Sequence, residues 1–213
     1  MPGFGQQLDT LERWRRLPAL ERLDGAGFAL TFDDGPDPDA TPAVLDALDE
    51  AGAPATFFLV GEQVEAHPAL AREIAARGHA VALHGHRHGE HDGLADVAAD
   101  FESVAALVRA AAGVEATLYR PPYGRFSAAS YEECTRRALT PVYWSAWGCD
   151  WEPIPAARIA DLAIRDLEPG AILLLHDSPR YAYRDSALPT AEALPAILAA
   201  ARERGLAPVA LPG

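Results

Sequence analysis

The segment Phe28-Ala29-Leu30-Thr31-Phe32-Asp33-Asp34-Gly35-Pro36 is an apolar run that ends at two adjacent carboxylates and a Gly-Pro pair. The run is short and rich in aromatic and β-branched residues, and glycines bound it, a pattern that favours a buried strand over a helix. Two neighbouring carboxylates repel each other unless a cation or a shared proton relieves them. A polar turn would also account for Asp-Gly-Pro, so the function of Asp33 and Asp34 depends on what the rest of the chain brings to them.

Predicted strands and helices alternate along the chain after this segment. A helix capped by Thr41, with Pro42 in its first turn, is expected to run to about Glu50 and to end at Gly52. Further strands are predicted at 55–60, 80–83, 117–119, 141–144, 171–175 and 208–211, and further helices at 68–77, 96–112, 127–138, 155–167 and 190–204. Because strands that alternate with helices form βαβ units, the sequence predicts an α/β fold with a parallel sheet.

Polar side chains follow the C-terminal ends of these strands. They are Asp33 and Asp34, a histidine cluster that begins at His84, the segment 120–124, Asp150 with Trp151, and His176. In a (β/α) barrel the C-terminal ends of the strands form the face on which active sites are built. Core packing does not predict such a grouping, so we expect these residues to share one site.

The length of 213 residues suits one domain, which can bury roughly 70% of its unfolded surface. Residues 1–25 are expected to form a helical lead-in, with a short amphipathic helix at 7–16, and residues 26–213 the single domain. The two cysteines, Cys134 and Cys149, are too few for a disulfide framework, and we expect both to be buried free thiols.

The charge of the chain argues against several partners. It has 18 Lys and Arg against 31 Asp and Glu, a formal net charge of −13, which disfavours nucleic acid and anionic membranes. A neutral or cationic substrate fits better. The first 23 residues contain no apolar segment long enough for a signal peptide or a membrane span, so we expect a cytoplasmic protein without membrane insertion. No pattern indicates an oligomeric state.

The stretch from His84 to His91 holds four histidines in eight residues, a density typical of a metal site. If it forms a turn of helix, His84 and His88 share a face; if it is extended, His84, His86 and His88 do. Two histidines and a carboxylate from Asp33 or Asp34 would leave coordination positions open, as a catalytic metal requires. His67 and His79 lie away from the cluster and are expected at the surface.

Three further kinds of residue fit a catalytic site. His176 ends the most apolar strand and could serve as a general acid, although a structural histidine is the alternative. Arg120 could hold a base carboxylate ionised, or form an ordinary surface ion pair. The aromatic residues Trp144, Trp147, Trp151 and Tyr123 could stack on sugar rings, although packing is the commoner role of such side chains.

Taken together, these segments resemble the polysaccharide deacetylases of carbohydrate esterase family 4, the NodB homology domain. The resemblance runs from about residue 26 to the end, and five motifs occur in the family's order: TFDDGP at 31–36, His84 to His88, RPPYG at 120–124, Asp150-Trp151 and LLLHD at 173–177. It implies a distorted (β/α) barrel of about seven parallel strands, with residues 26–213 as the catalytic domain.

The resemblance also implies a role for each residue of the first three motifs. Asp33 is implied as the catalytic base, and Asp34, His84 and His88 as the ligands of one divalent metal ion, zinc first, with cobalt or nickel as alternatives. His86 is then an extra histidine. Arg120 is implied to orient Asp33.

The remaining roles follow in the same way. The main-chain N–H of Tyr123 is implied to help hold the oxyanion. Asp150 is implied to tune the acid, His176 to be that acid, and Trp151 to line the substrate groove. Leu174 would form an apolar wall of the acetyl pocket.

Four residues depart from the family pattern. Leu83 stands where a polar residue is usual, Gly85 and Arg87 replace small hydroxyl residues, and Trp147 stands where an aspartate is common. The catalytic set is intact, so metal binding is expected. Arg87 and Trp147, which would line the groove, are expected to crowd or reshape it and so to affect the choice of substrate.

The function implied is metal-assisted hydrolysis of the acetamide of an N-acetylated amino sugar or oligosaccharide. Three alternatives remain open. The same scaffold could cleave another small amide or a cyclic ureide, or the chain could be a non-catalytic carbohydrate- or metal-binding relative. A non-haem iron oxygenase also uses two histidines and a carboxylate, but on an all-β fold that the βα alternation opposes.

Overall fold

Eight parallel strands form one curled sheet in the computed structural model, which describes residues 17–89 and 96–212. The strands are β1 (Phe28–Asp33), β2 (Thr56–Leu59), β3 (Ala80–Leu83), β4 (Leu118–Tyr119), β5 (Thr140–Pro141), β6 (Ala146–Trp147), β7 (Ile172–His176) and β8 (Pro208–Val209). Seven of them follow the order β5-β4-β3-β2-β1-β7-β6, and β8 pairs with β1. The predicted α/β fold and distorted barrel of parallel strands are confirmed, as a curled half-barrel.

Within residues 17–89 and 96–212, seven α-helices follow or connect the strands. They are α1 (Ala40–Ala51), α2 (Gly61–Ala66), α3 (Pro68–Ala76), α4 (Val97–Ala112), α5 (Ala128–Arg136), α6 (Ala156–Arg165) and α7 (Leu188–Glu203). All but α2 were expected, while the helix predicted at 7–16 lies outside the described residues. No helix within the described ranges has both the length and the apolar character needed to span a bilayer.

The start of α1 is capped differently from the prediction. Thr41 lies inside the helix, and the N-cap residue Asp39 makes no side-chain capping bond. The Oδ1 of Asp37 instead accepts hydrogen bonds from the main-chain N–H groups of Asp39 and Ala40 at 3.0 and 2.9 Å. The N–H of Asp37 donates in turn to Thr41 Oγ1 at 2.7 Å. The predicted end is confirmed, because Gly52 has the left-handed φ of 62°.

The bounds predicted for a strand at 141–144 are wrong, because two short strands lie at its two ends, at 140–141 and 146–147. Residues 140–141 pair with β4, whereas residues 146–147 pair with β7. Between them Val142 bridges to Leu20 of the N-terminal segment, and Arg22 bridges to Ala171. The partners available to this part of the chain therefore come from three different places, which a local apolar pattern does not reveal.

Two apolar layers, one on each face of the sheet, determine the face on which the site lies. Residues of the helices pack on the outer face of the sheet, while the second buried cluster contains strand and loop residues, among them Ala29, Phe58, Ile172 and Leu174. Because side chains alternate between the faces of a strand, Asp33 and His176 fall on the same inner face as Ala29 and Leu174. Both end their strands at the C-terminal edge of the sheet.

Two expectations about isolated residues have different outcomes. Cys134 and Cys149 are buried free thiols, as predicted, and burial raises the pKa of each to about 12. The expectation that His79 lies at the surface is wrong. Its ring is buried 5.5 Å from that of Phe57, and this burial lowers the pKa of His79.

Candidate active site

A buried ion pair lies beneath the centre of the site. Arg120 is fully buried, and its Nη1 donates to Asp33 Oδ1 at 2.7 Å and to Thr31 Oγ1 at 2.9 Å. Its Nη2 donates to the carbonyl of Tyr143 at 2.8 Å, and the guanidinium lies 4.1 Å from the ring centre of Phe58. Burial lowers the pKa of Arg120, while the charge of Asp33 opposes that change. The surface ion pair considered as an alternative is thereby excluded.

Three possible metal ligands converge next to this pair. Asp34 Oδ1 lies 3.4 Å from His84 Nε2 and 3.1 Å from His88 Nε2, and one ligand atom from each residue lies within 4.8 Å of the others. Asp34 has a left-handed φ of 79°, which lets it follow Asp33 without continuing the strand. The segment from His84 to His88 is neither helix nor strand but a bend, which begins at Gly85 with φ of 81°.

These residues fit a divalent metal ion. Asp34 Oδ1 is buried and meets no geometric hydrogen-bond partner among the residues that the structure describes. The Nδ1 of His84 lies 2.8 Å from the carbonyl of Arg120, so it carries the proton and leaves the Nε2 lone pair for a metal. Burial opposes the charge of Asp34, but His88 and His84 outweigh it and hold the pKa of Asp34 well below its usual range. Two imidazoles and one carboxylate are ligands typical of zinc.

Asp100 of α4 supports the bend that carries His84 and His88. Its carboxylate is buried and accepts hydrogen bonds from the main-chain N–H of His86, at 3.1 Å to each oxygen, and of Arg87 at 3.3 Å. The ring of His86 is directed to Ser103, with Nδ1 3.3 Å from its hydroxyl, so the three-histidine alternative is not what the structure brings together. No local sequence pattern indicates Asp100, because it lies inside an ordinary amphipathic helix.

Two tyrosines enclose the ring of His88. Tyr181 stacks on it with ring centres 4.2 Å apart and planes 9° apart, and Tyr123 contacts it edge-on at 4.5 Å. Gln63 of α2 donates to the Tyr181 hydroxyl at 3.2 Å. Tyr123 has a left-handed φ of 58° within the turn at Pro122–Gly124. Tyr181 was not predicted, because nothing in the local sequence of its loop distinguishes it from a surface aromatic residue.

His176 forms a buried pair with the carboxylate of Asp150. The Nδ1 of its ring lies 2.8 Å from Asp150 Oδ1, and its main-chain N–H donates to Oδ2 at 2.8 Å. Burial alone would lower the pKa of His176, but Asp150 outweighs it, with smaller contributions from Asp34 and Asp33, and the pKa rises to about 9. With Nδ1 engaged by Asp150, Nε2 is the nitrogen that can release a proton to a substrate.

Asp150 is itself held by residues that the sequence did not indicate. It is fully buried, and its Oδ2 accepts a hydrogen bond from Thr190 Oγ1 at 2.7 Å and lies 3.4 Å from Arg184 Nη2. Burial would raise the pKa of Asp150, but the charges of His176 and Arg184 outweigh it and lower that pKa. The carboxylate therefore stays ionised inside the protein.

The residues predicted to line the substrate groove lie beside His176 and at the inner apolar cluster. The ring of Trp151 meets that of His176 edge-on at 5.8 Å, and Leu174 is buried in the inner cluster, against which Trp147 also packs. Arg87 has a largely exposed side chain paired with Glu62 of α2 at 3.2 Å.

Gly35 and Asp177 make a close contact behind Asp34. A Cβ placed on Gly35 would collide with both carboxylate oxygens of Asp177. Asp177 is fully buried, accepts a hydrogen bond from Thr41 Oγ1 at 2.5 Å, and donates its main-chain N–H to the carbonyl of Asp33 at 3.3 Å. Burial raises the pKa of Asp177 to about 7. The turn after β1 thus requires glycine at position 35.

Comparison with known proteins agrees with this geometry. Residues 22–142 match the family profile "Polysaccharide deacetylase". A chitooligosaccharide deacetylase of Rhizobium leguminosarum bv. trifolii is 38% identical over 157 residues, which cover 72% of this chain and 73% of that protein. The chain belongs to the polysaccharide deacetylase family, and the resemblance to carbohydrate esterase family 4 is confirmed.

Solved structures show the same fold. A peptidoglycan N-acetylglucosamine deacetylase, crystallised with 4-naphthalen-1-yl-N-oxidanyl-benzamide, superposes with a TM-score of 0.85 at 28% identity, covering 97% of this chain and 95% of that one. A family 4 acetyl xylan esterase from Clostridium thermocellum with a cobalt ion has a TM-score of 0.78 at 30% identity, covering 86% and 87% of the two chains. The chain is therefore an enzyme of the deacetylase class, which acts on N-acetyl amide bonds.

Proposed function

We propose that this chain is a metal-dependent hydrolase that removes N-acetyl groups from an N-acetylated amino sugar or oligosaccharide and releases acetate. One observation carries the proposal: the Asp33–Arg120 ion pair lies beside the three possible metal ligands, and the His176–Asp150 pair lies on the adjacent strand. A base, a metal site and an acid are thus available within one site. The chitooligosaccharide deacetylase among the relatives supports the choice of substrate.

Asp34, His84 and His88 would hold one divalent ion, which we propose to be zinc, with cobalt or nickel as substitutes. The cobalt ion in the acetyl xylan esterase structure supports a divalent metal of this kind. The chemistry that such an ion supplies when bound is polarisation of a carbonyl and activation of water. The ring orientation of His84, fixed through the carbonyl of Arg120, prepares its Nε2 for this role.

Asp33 would act as the general base that takes a proton from the attacking water. Its Oδ1 is bound by Arg120 at 2.7 Å, which keeps the carboxylate charged and fixed, while Oδ2 lies 3.8 Å from His84 Nε2 and so faces the metal ligands. The main-chain N–H of Tyr123 would stabilise the oxyanion of the tetrahedral intermediate. In a serine protease one oxyanion donor contributes about 3 kcal/mol.

His176 would protonate the departing amine. With a pKa of about 9 its ring is protonated at neutral pH, and Asp150 holds the Nδ1 side so that the proton leaves from Nε2. The oxygen of the water whose proton Asp33 takes forms the new C–O bond, and the C–N bond breaks as His176 gives its proton to the nitrogen. The products are acetate and a free amine, and return of the proton from Asp33 to His176 through solvent restores both groups.

Trp151, Tyr123, Leu174 and Trp147 would contact the substrate. Trp151 and Tyr123 offer aromatic surface beside the acid and the metal ligands respectively, and Leu174 offers an apolar wall. The net charge of −13 is compatible with an uncharged glycan. All these residues lie in 26–213, which we propose as the catalytic domain.

The test is acetate release from short N-acetylglucosamine oligomers by protein stripped of metal and reloaded with zinc or cobalt. We expect release by the reloaded wild type and none by Asp33→Asn. Asp161→Asn makes the same carboxylate-to-amide change at an exposed position of α6 and is expected to behave as wild type. Acetylated xylan and a set of small cyclic amides are assayed beside the oligomers. Release from either of those, with none from the oligomers, contradicts the proposed substrate, and oligomer binding without turnover by any substrate contradicts the proposed enzyme.

A further inference from the structure

Arg184 is a buried cation next to the acid pair, His176 and Asp150. None of the catalytic steps proposed for this site assigns it a role. It lies in the segment between β7 and α7 and is 7% exposed. Its Nη1 donates to Thr190 Oγ1 at 2.7 Å, and its Nη2 donates to the carbonyl of His176 at 3.0 Å and lies 3.4 Å from Asp150 Oδ2. These contacts join Arg184 to both members of the acid pair.

Asp150 is consequently shared between two cations. Its Oδ1 contacts the ring of His176, whereas its Oδ2 accepts from Thr190 and from the main chain of His176 and lies near Arg184. Thr190 accepts from Arg184 and donates to Asp150, so its hydroxyl links the guanidinium to the carboxylate. A charge this deeply buried interacts with its neighbours far more strongly than a charge in water does.

We propose that Arg184 is a positioning residue that sets the proton affinity of His176 by holding Asp150 and neutralising part of its charge. This inference rests on the proposed function, in which His176 is the acid. Without Arg184 the carboxylate would act on the imidazolium alone and bind its proton more tightly. With Arg184 the proton is held firmly enough to be present at neutral pH and loosely enough to be given up.

The charged groups around His176 give the sign of the effect. Asp150 faces it from the segment after β6, Asp33 and Asp34 face it from the end of β1, and Arg184 from the segment after β7. Three carboxylates raise the pKa of His176, and the positive charge of Arg184, which lowers the pKa of Asp150, is expected to oppose them. Removing this one cation therefore raises the pKa of His176, and we expect a shift of about one unit.

The experiment is a pH titration of the His176 ring by NMR in the zinc-loaded protein, with the signal identified by its absence in His176→Asn. Arg184→Gln removes the positive charge and is expected to raise the pKa of His176 by about one unit. Arg184→Lys keeps the positive charge, so the pKa of His176 is expected to stay close to its wild-type value. Arg180→Gln removes an exposed arginine from the same segment and is expected to leave the titration in place.

Thr190→Val provides a second variant that keeps every charge. It removes the hydroxyl between Arg184 and Asp150, and we expect an upward shift of about half a unit. In the wild type and variants that release acetate, the basic limb of kcat/KM is expected to move with the titration, while KM changes less than kcat.

The proposal is overturned if Arg184→Gln titrates where the wild type does, if Arg184→Lys shifts as far as Arg184→Gln, or if Thr190→Val shows no shift. A purely structural role for Arg184 would lower stability and activity without moving the titration. The NMR reading needs no turnover, so absence of acetate release would contradict the proposed function separately from this inference.

Discussion

Asp33 and His176 are direct partners in the ladder between β1 and β7. Neighbouring parallel strands lie about 4.8 Å apart, so the two side chains leave the sheet side by side on its inner face. The side chains that we propose as base and acid are thereby fixed relative to each other by main-chain hydrogen bonds. Substitution at each of the two positions tests the proton transfer proposed for that residue.

Replacement of Asp33 by Asn is expected to abolish turnover and to preserve metal binding. Asn cannot accept a proton, whereas the three possible metal ligands remain, and the loss of a general base typically costs about 10²- to 10⁴-fold in rate. Acetate release and zinc content, measured on the same preparation, check this. A fully active Asp33→Asn protein would remove Asp33 from the role of base.

Replacement of His84 by Ala is expected to remove both metal and activity. His84 supplies one of three converging ligand atoms, and its ring is oriented from behind by Arg120. His86→Ala is the matched control, because the ring of that histidine is directed to Ser103. Isothermal titration with zinc distinguishes the two. Equal zinc affinities for the two variants would contradict the ligand set.

Activity is expected to fall as the pH rises through about 9, because His176 then loses the proton that it must donate. Asp150→Asn removes the carboxylate that holds this pKa above its usual value of about 6.5. The basic limb of kcat/KM is therefore expected to move to lower pH in that variant. An unchanged limb in Asp150→Asn would assign it to another group.

The raised pKa of His176 also predicts that the free energy of unfolding depends on pH. Because the pKa of His176 is higher in the folded chain than in the unfolded one, its contribution is complete below about pH 6.5 and disappears as the pH rises through about 9. Urea unfolding at pH 6 and at pH 10 measures the loss. The loss is expected to be smaller in His176→Asn, which carries no titrating ring at this position.

Replacement of Arg120 by Met is expected to lower the free energy of unfolding by about 3–5 kcal/mol, since it leaves Asp33 buried without its counter-ion. Arg109→Gln is the control, because the pair of Arg109 and Glu115 is largely exposed and such pairs contribute about 1 kcal/mol or less. Urea unfolding of both variants measures the difference. Equal midpoints would indicate that water reaches the Asp33 carboxylate.

Tyr181 is expected to stabilise the metal site through its stacking on His88. Tyr181→Leu removes the aromatic face, and we expect zinc affinity to fall about tenfold or more, as for other groups that orient a metal ligand. Tyr181→Phe keeps the face and loses only the hydroxyl bond from Gln63, so its affinity is expected to stay near that of the wild type. Similar losses in both variants would attribute the effect to the hydroxyl.

Much of the site could be predicted because short motifs end several of the strands. The alternation of strands and helices predicts where these ends meet, and Asp33, His84, Arg120 and His176 do come together. Arg184 and Asp100 could not be found in the same way. Each acts through a contact made only in the folded chain, and each lies in a segment with no distinctive local pattern. The strand predicted at 141–144 has the wrong bounds for the same reason, because Leu20 pairs with this part of the chain only after folding.

The ladder between β1 and β7 joins distant parts of the chain, as the hydrogen bond from Thr31 to the carbonyl of Leu173 spans 142 residues. The residues proposed as the base and the metal ligands, with Arg120, precede β5, whereas the proposed acid and its carboxylate follow it. The ribosome therefore releases the proposed metal ligands before the proposed proton donor. Contacts of such long range are slow to form, so we expect zinc uptake during refolding to precede the recovery of acetate release.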